Sequence, residues 1–235
     1  MPWLLALHLG PGVVFATLLI LVSRVFVQHG LTAYLAEVLL VPVCLAPMLG
    51  GMVLLWNAHT GEGLSLIRSL TYRERGSVEH YIVWPILLYL LFAAGSLVVG
   101  PLTDFLQEQF VGWFPTQLTI NAMLSGLASS PRGLRLATLL IAALLSGLVA
   151  PLVEEPYFRG FLLPRMRHLG IMAPAVNAFL FGLYHFFSPW NLPVIFLAFL
   201  PVAYVVQAKR NYRIGVVVHA MLNLTGVLTL AVRFA

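Results

Sequence analysis

Glu154, Glu155 and Arg159 stand within six consecutive residues of a 235-residue chain, followed by His185 and later by His219 and Asn223. A carboxylate that takes a proton from water, an imidazole that orients the water or passes its proton, and an Asn/His pair aimed at a developing oxyanion are the parts needed to hydrolyse an acyl bond. Each group lies in or beside an apolar stretch long enough to cross a bilayer. Ionisable side chains at that depth cost about 2.5 to 3.5 kcal/mol each on insertion scales, so they require partners or a water-filled cavity. Together they read as one site.

Helical spacing assigns first roles. Glu155 and Arg159 are four residues apart, on one face and suited to an ion pair. Glu154, about 100° away around the helix, is left without an internal partner and becomes the candidate general base. Pro156 must break the hydrogen-bond ladder there or start a new helical segment. A plainer reading has both glutamates capping a helix near the interface. His185 closes the apolar run from Ala178 to Tyr184, with Phe181 one turn before it on the same face. His219 and Asn223 share a face of the last apolar stretch, an arrangement that also suits ordinary interhelical hydrogen bonding.

The elements that must carry these residues are membrane helices. The chain is 60% hydrophobic and 9% charged, with a mean hydropathy of +0.95. Soluble domains hold roughly a quarter charged residues, so the fold class is all-α, a polytopic transmembrane bundle of seven to eight helices. Residues 1–235 are expected to form a single membrane domain, with 136–232 as the core carrying the clusters. Spans are expected near residues 3–23, 31–56, 81–101, 136–156, 171–187, 192–207 and 214–232. Residues 102–135 are long for a loop and partly apolar, enough for an interfacial or short eighth helix. The first span is read as retained, since it lacks the short apolar core and small-residue cleavage site of a signal peptide. Pro42 and Pro47 should bend the second span.

The net charge of +5 sorts by loop, so it reports topology, and no nucleic-acid partner is expected. Arg68, Arg73, Arg75, Arg165, Arg167, Lys209, Arg210 and Arg213 fall on one set of connections; Arg24, Arg132, Arg135 and Arg233 fall on the other. The positive-inside rule then puts the N-terminus inside, and the expected location is a bacterial inner (cytoplasmic) membrane. The histidines 8, 29, 59, 80 and 168, and the five tryptophans, lie near proposed span ends, as interfacial residues do. The lone Cys44 allows no intramolecular disulfide. Glu37, inside the second span, either pairs with a base on another helix or faces a cavity.

The three clusters, in order, resemble the signature of the CAAX protease and bacteriocin-processing (CPBP, or Abi) family of intramembrane endopeptidases. That signature is Glu-Glu-x-x-x-Arg, Phe-x-x-x-His and His-x-x-x-Asn/Asp. Here the matching residues are Glu154-Glu155-Pro156-Tyr157-Phe158-Arg159, Phe181-Gly182-Leu183-Tyr184-His185 and His219-Ala220-Met221-Leu222-Asn223. The resemblance spans roughly residues 136–232. It implies that Glu154 and His185 activate water, that His219 and Asn223 stabilise the oxyanion, and that Glu155, Arg159 and Phe181 support the site. It also implies, as partners, the lipid bilayer and a membrane-anchored or lipidated protein or peptide substrate. Zinc sites favour closely spaced ligand pairs on one helix, and none occurs here, so a metal-free glutamate mechanism is favoured, with zinc as the alternative cofactor. Two other functions compete: a non-catalytic immunity or peptide-binding protein of the same fold, and a small transporter using Glu37 and Glu154 as proton carriers.

Overall fold

The computed structural model describes residues 2–234. Among the described residues, eight helices of ten residues or more order the chain: α1 (Pro2–Gln28), α2 (Ala33–Thr60), α3 (Val78–Phe110), α4 (Ile120–Ser129), α5 (Arg132–Arg165), α6 (Ala173–Tyr184), α7 (Leu192–Lys209) and α8 (Tyr212–Phe234). Among the described residues there is no strand. Six of the helices, all but α4 and α6, are long and apolar enough to cross a bilayer. The all-α multi-span bundle is as expected; the count of seven to eight is not confirmed by that measure, because α4 has 10 residues and α6 has 12. The span expected at 171–187 is thus a short helix followed by irregular chain. The segment 102–135 completes α3, forms α4 and opens α5, with no further long span.

Helices α1, α2, α5, α8, α7 and α6 touch in that order and close into a ring, while α3 packs outside against α7 and α8. The exposure of α3 follows from its place: Leu97 and Val98 are 81% and 79% exposed, a surface suited to lipid. The multi-pass architecture makes the chain an integral membrane protein.

One end of the ring gathers the larger basic set. Trp3 packs on Trp56 with ring centroids 4.4 Å apart. Arg165 meets Glu62 at 3.0 Å, and Arg210 meets Glu74 at 2.9 Å. The Tyr212 N–H donates to Tyr72 O at 2.9 Å, holding the loop after α2 against the α7–α8 turn. That turn is tight: Arg210 takes a left-handed φ of 49°, and the Asn211 side chain accepts from the Arg213 N–H at 3.1 Å to cap α8.

Prolines explain much of the irregular helix. Three wide turns, Val41–Leu45, Leu145–Val149 and Pro156–Leu162, are each followed by a residue whose N–H bonds five residues back: Ala46 to Val41, Ala150 to Leu145 and Leu163 to Phe158. In every case the next residue is a proline: Pro47, Pro151 or Pro164. A proline ring clashes with the carbonyl four residues before it, and widening the preceding turn relieves that clash. The expected bend at Pro42 and Pro47 takes this form. The carbonyls that lose their helical partners become docking points for other elements. Gly160 O receives the Thr71 N–H at 2.9 Å. Leu7 O, four residues before Pro11, receives the Tyr157 hydroxyl at 2.7 Å.

Candidate active site

All six ring helices line one central cavity of about 240 Å³, which contains Glu37, Ser146, Glu154, Tyr184, His185, His219 and Asn223 among its walls. Glu154 lies eleven residues before Arg165, about 16 Å along the helix from the basic end. The four residues proposed from the sequence as reactive, from α5, α8 and the end of α6, therefore face the same space.

Glu155 and Arg159 are both fully buried, and Arg159 Nη1 donates to Glu155 Oε1 at 3.1 Å. The remaining guanidinium nitrogens, Nε and Nη2, have no hydrogen-bond partner. Aromatic faces stand in for them: Arg159 Cζ sits 4.0 Å from the Phe181 centroid and 4.7 Å from that of Phe199. A planar, delocalised cation is suited to this stacking, and its attraction to each ring offsets part of its desolvation. Phe181 also stands edge-on to His185 and His219, with centroids 5.0 and 5.9 Å away. One side chain thus braces the cation and both histidines.

Glu155 Oε1 holds a second partner, His219 Nδ1, at 3.1 Å. That bond orients the ring so that His219 Nε2 lies 3.9 Å from Glu154 Oε2, too far for a direct hydrogen bond and close enough for both to meet a third group. Glu154 is therefore not the partnerless carboxylate expected from spacing. Its Oε1 accepts from the Tyr184 hydroxyl at 3.4 Å, and His219 Nε2 is the neighbour of its other oxygen. Helix spacing reports partners within one helix, and both of these come from elsewhere.

His185 Nδ1 lies 2.8 Å from Phe181 O. A carbonyl can only accept, so the network assigns the proton to Nδ1 and leaves Nε2 with a lone pair. Asn223 Nδ2 donates to Ser146 O at 2.8 Å. That carbonyl has no helical donor, since Ala150 bonds to Leu145 and residue 151 is proline. The wide turn before Pro151 thus fixes the Asn223 amide and leaves its second N–H free.

Gly215 is one turn before His219 on α8. A Cβ there would collide with Glu155 Oε2, so the missing side chain is what admits the carboxylate between α5 and α8. Gly215→Ala is expected to destabilise the protein by about 1–3 kcal/mol through overpacking and to slow turnover by displacing Glu155 from His219. Thermal melting in detergent and a turnover assay check this. Wild-type values in both would show that the carboxylate does not depend on that space.

Several sequence expectations change. His8 was expected at the interface. It is completely buried, with Nδ1 at 2.8 Å from Leu4 O and Nε2 accepting from Asn177 Nδ2 at 3.1 Å. Asn177 also donates to Phe158 O at 3.1 Å, so this pair ties α1 and α6 to the wide turn that carries Arg159. Trp190 is 2% exposed and belongs to the interior instead of an interface belt. Glu37 has no ion pair among the described residues and lines the cavity. Tyr184, Phe199 and Ser146 were not singled out from the sequence. Tyr184 had a visible signal, a hydroxyl directly before His185; Phe199, one apolar residue among many on α7, had none.

No three His, Cys, Asp or Glu side chains converge as a metal site among the described residues. Glu155 is occupied by Arg159 and His219.

Buried carboxylates and imidazoles around a cavity inside a multi-pass helical ring define a membrane protein built for polar chemistry away from bulk water. Residues 136–225 match the family model described as type II CAAX prenyl endopeptidase, Rce1-like, which belongs to the CPBP group. The match covers all three motifs and indicates a membrane-embedded protease. No curated protein and no solved structure matches the chain.

Proposed function

We propose that this protein is an intramembrane endopeptidase that hydrolyses a peptide bond of a membrane-associated protein near its C-terminal anchor, lipidated C-terminus or leader. The observation that carries this reading is the convergence of Glu154, His185, His219 and Asn223 on one cavity walled by apolar helices. Water held by the His185 Nε2 lone pair gives a proton to Glu154 as its oxygen attacks the scissile carbonyl. The developing oxyanion accepts from the free Asn223 N–H and from His219 Nε2–H, the ring carrying both protons while Glu155 holds Nδ1. Collapse breaks the C–N bond, and Glu154 returns its proton to the leaving nitrogen. The products are an amine and a carboxylic acid, which releases its proton to solvent as the carboxylate leaves, and no step uses a metal. The basic end of the ring, including Arg165, Arg167 and Arg210, is assigned to the cytoplasm, with the N-terminus inside.

Mass spectrometry of membrane-protein termini in cells carrying wild-type protein or Glu154→Gln at equal abundance tests the reading. New termini are expected with wild type only, positioned beside an anchor, a lipidated cysteine or a leader. Identical termini in both, with a wild-type phenotype still present, would sink it and favour a binding or immunity role. In a purified assay, prolonged treatment with a strong zinc chelator is expected to leave turnover within about twofold of the untreated enzyme, because side chains alone supply the acid, base and oxyanion donors. Loss of turnover that zinc restores would reverse the metal-free assignment.

A further inference from the structure

Glu37 lies outside the matched segment, and the reaction derived above makes no use of it. It sits on the first turns of α2, at the end of the ring opposite the basic loops, and lines the catalytic cavity. It also lines an adjoining apolar cavity of about 200 Å³ bounded by Leu19, Leu118, Met123, Leu127 and Trp190. Phe187, Ser188 and Asn191 line both spaces as well, so Glu37 stands at their junction. The groups facing it are the Tyr34 phenol on its own helix and, across the polar cavity, Glu154, His185 and His219. Each of those three has its own partners: Glu154 has Tyr184, His185 has Phe181 O, and His219 has Glu155. Glu37 has no ion pair and no side-chain hydrogen bond among the described residues.

A carboxylate at membrane depth without a counter-ion is costly, and such residues mark sites where a partner arrives. We infer that Glu37 is a specificity residue that takes a basic side chain of the substrate, Lys or Arg, between the scissile bond and an apolar residue lodged in the adjoining cavity. A neutral donor would leave the anion uncompensated in surroundings of low dielectric; an ammonium or guanidinium neutralises it and adds charge-assisted hydrogen bonds. The order of the subsites then fixes the order of substrate features: cleaved bond at Glu154 and His185, base at Glu37, apolar side chain beyond it. This inference rests on the proteolytic reading, whose substrate it narrows.

The test measures binding apart from cleavage. The Glu154→Gln protein in lipid nanodiscs, which removes the other carboxylate lining the cavity as a source of cation preference, is titrated with fluorescent single-span peptides. Each peptide carries Lys, Gln or Glu at one of successive positions flanking the apolar span. At one register the Lys peptide is expected to bind about 30-fold more tightly than the Gln peptide, the scale of a partly buried charge pair. Adding Glu37→Gln should bring that ratio to near one, and adding Glu37→Lys should turn the preference to the Glu peptide. If no register prefers Lys in the Glu154→Gln protein, the inference is overturned, a result that requires no Glu37 variant to fold. It is overturned equally if the Lys preference survives Glu37→Gln. Failure of wild-type protein to cut any peptide would count against proteolysis while leaving the binding ratio to be read.

Discussion

Glu154→Gln should lower kcat by about 10²–10⁴-fold, the usual contribution of a positioned general base, with little change in melting temperature. Glutamine has nearly the shape of glutamate, and its amide oxygen can still accept from Tyr184, so the cavity wall keeps its form. What it cannot do is accept the water proton and return it to the leaving nitrogen. The loss should therefore appear equally in kcat and kcat/KM, as expected of an interaction made only in the transition state. Tyr184→Phe separates holding the carboxylate from being the base. It removes one hydrogen bond to Glu154 Oε1 and should cost roughly tenfold, about one hydrogen bond's worth. Turnover of Glu154→Gln within tenfold of wild type would move the base role elsewhere, with His185 Nε2 next in line.

The membrane class and the three clusters were legible because lipid makes sequence unusually explicit. Apolar runs of bilayer length seldom fold as anything but membrane helices, and Glu154, Glu155 and Arg159 inside one of them must be compensated. The spacing of Glu155 and Arg159 along one helix face gave their contact, because i,i+4 geometry is local. The second hydrogen bond of Glu155 was not legible, because His219 lies 64 residues away and only the packing of α5 on α8 joins them. Gly215, one turn before His219, was the available clue: a small residue beside a polar one on a membrane helix marks close approach.

The shortness of α6 was hidden for a related reason. Residues 171–187 are apolar enough to read as a span, yet Gly170 with φ 57° starts the helix late and His185 ends it early. That early end places His185 and the following loop on the cavity wall. The wide turns were in principle readable, each preceding a proline by one residue. A proline says only that a carbonyl is freed; which group takes it depends on neighbours such as Asn223 or Thr71, which are distant in the chain.

The largest stability effect is expected at Arg159. Arg159→Met removes one member of a buried ion pair and leaves the His219 ring as the one remaining side-chain partner of the Glu155 carboxylate; breaking such a pair from one side should cost about 3–5 kcal/mol. Arg159→Lys should recover little of this, because an ammonium cannot lie flat between Phe181 and Phe199 as the guanidinium does. The double variant Glu155→Met/Arg159→Met is the informative one. Replacing both members of a buried pair by apolar side chains is often neutral or stabilising, so its melting temperature should recover most of what Arg159→Met lost. Its turnover should stay low, because His219 would lack the acceptor that holds Nδ1 and aims Nε2 at the cavity. Stability and activity are thereby separated: the pair is retained for the orientation of His219, at no net gain in stability. A double variant that melts as low as Arg159→Met would show that the charges themselves stabilise the ring, and one with wild-type turnover would remove Glu155 from the positioning of His219.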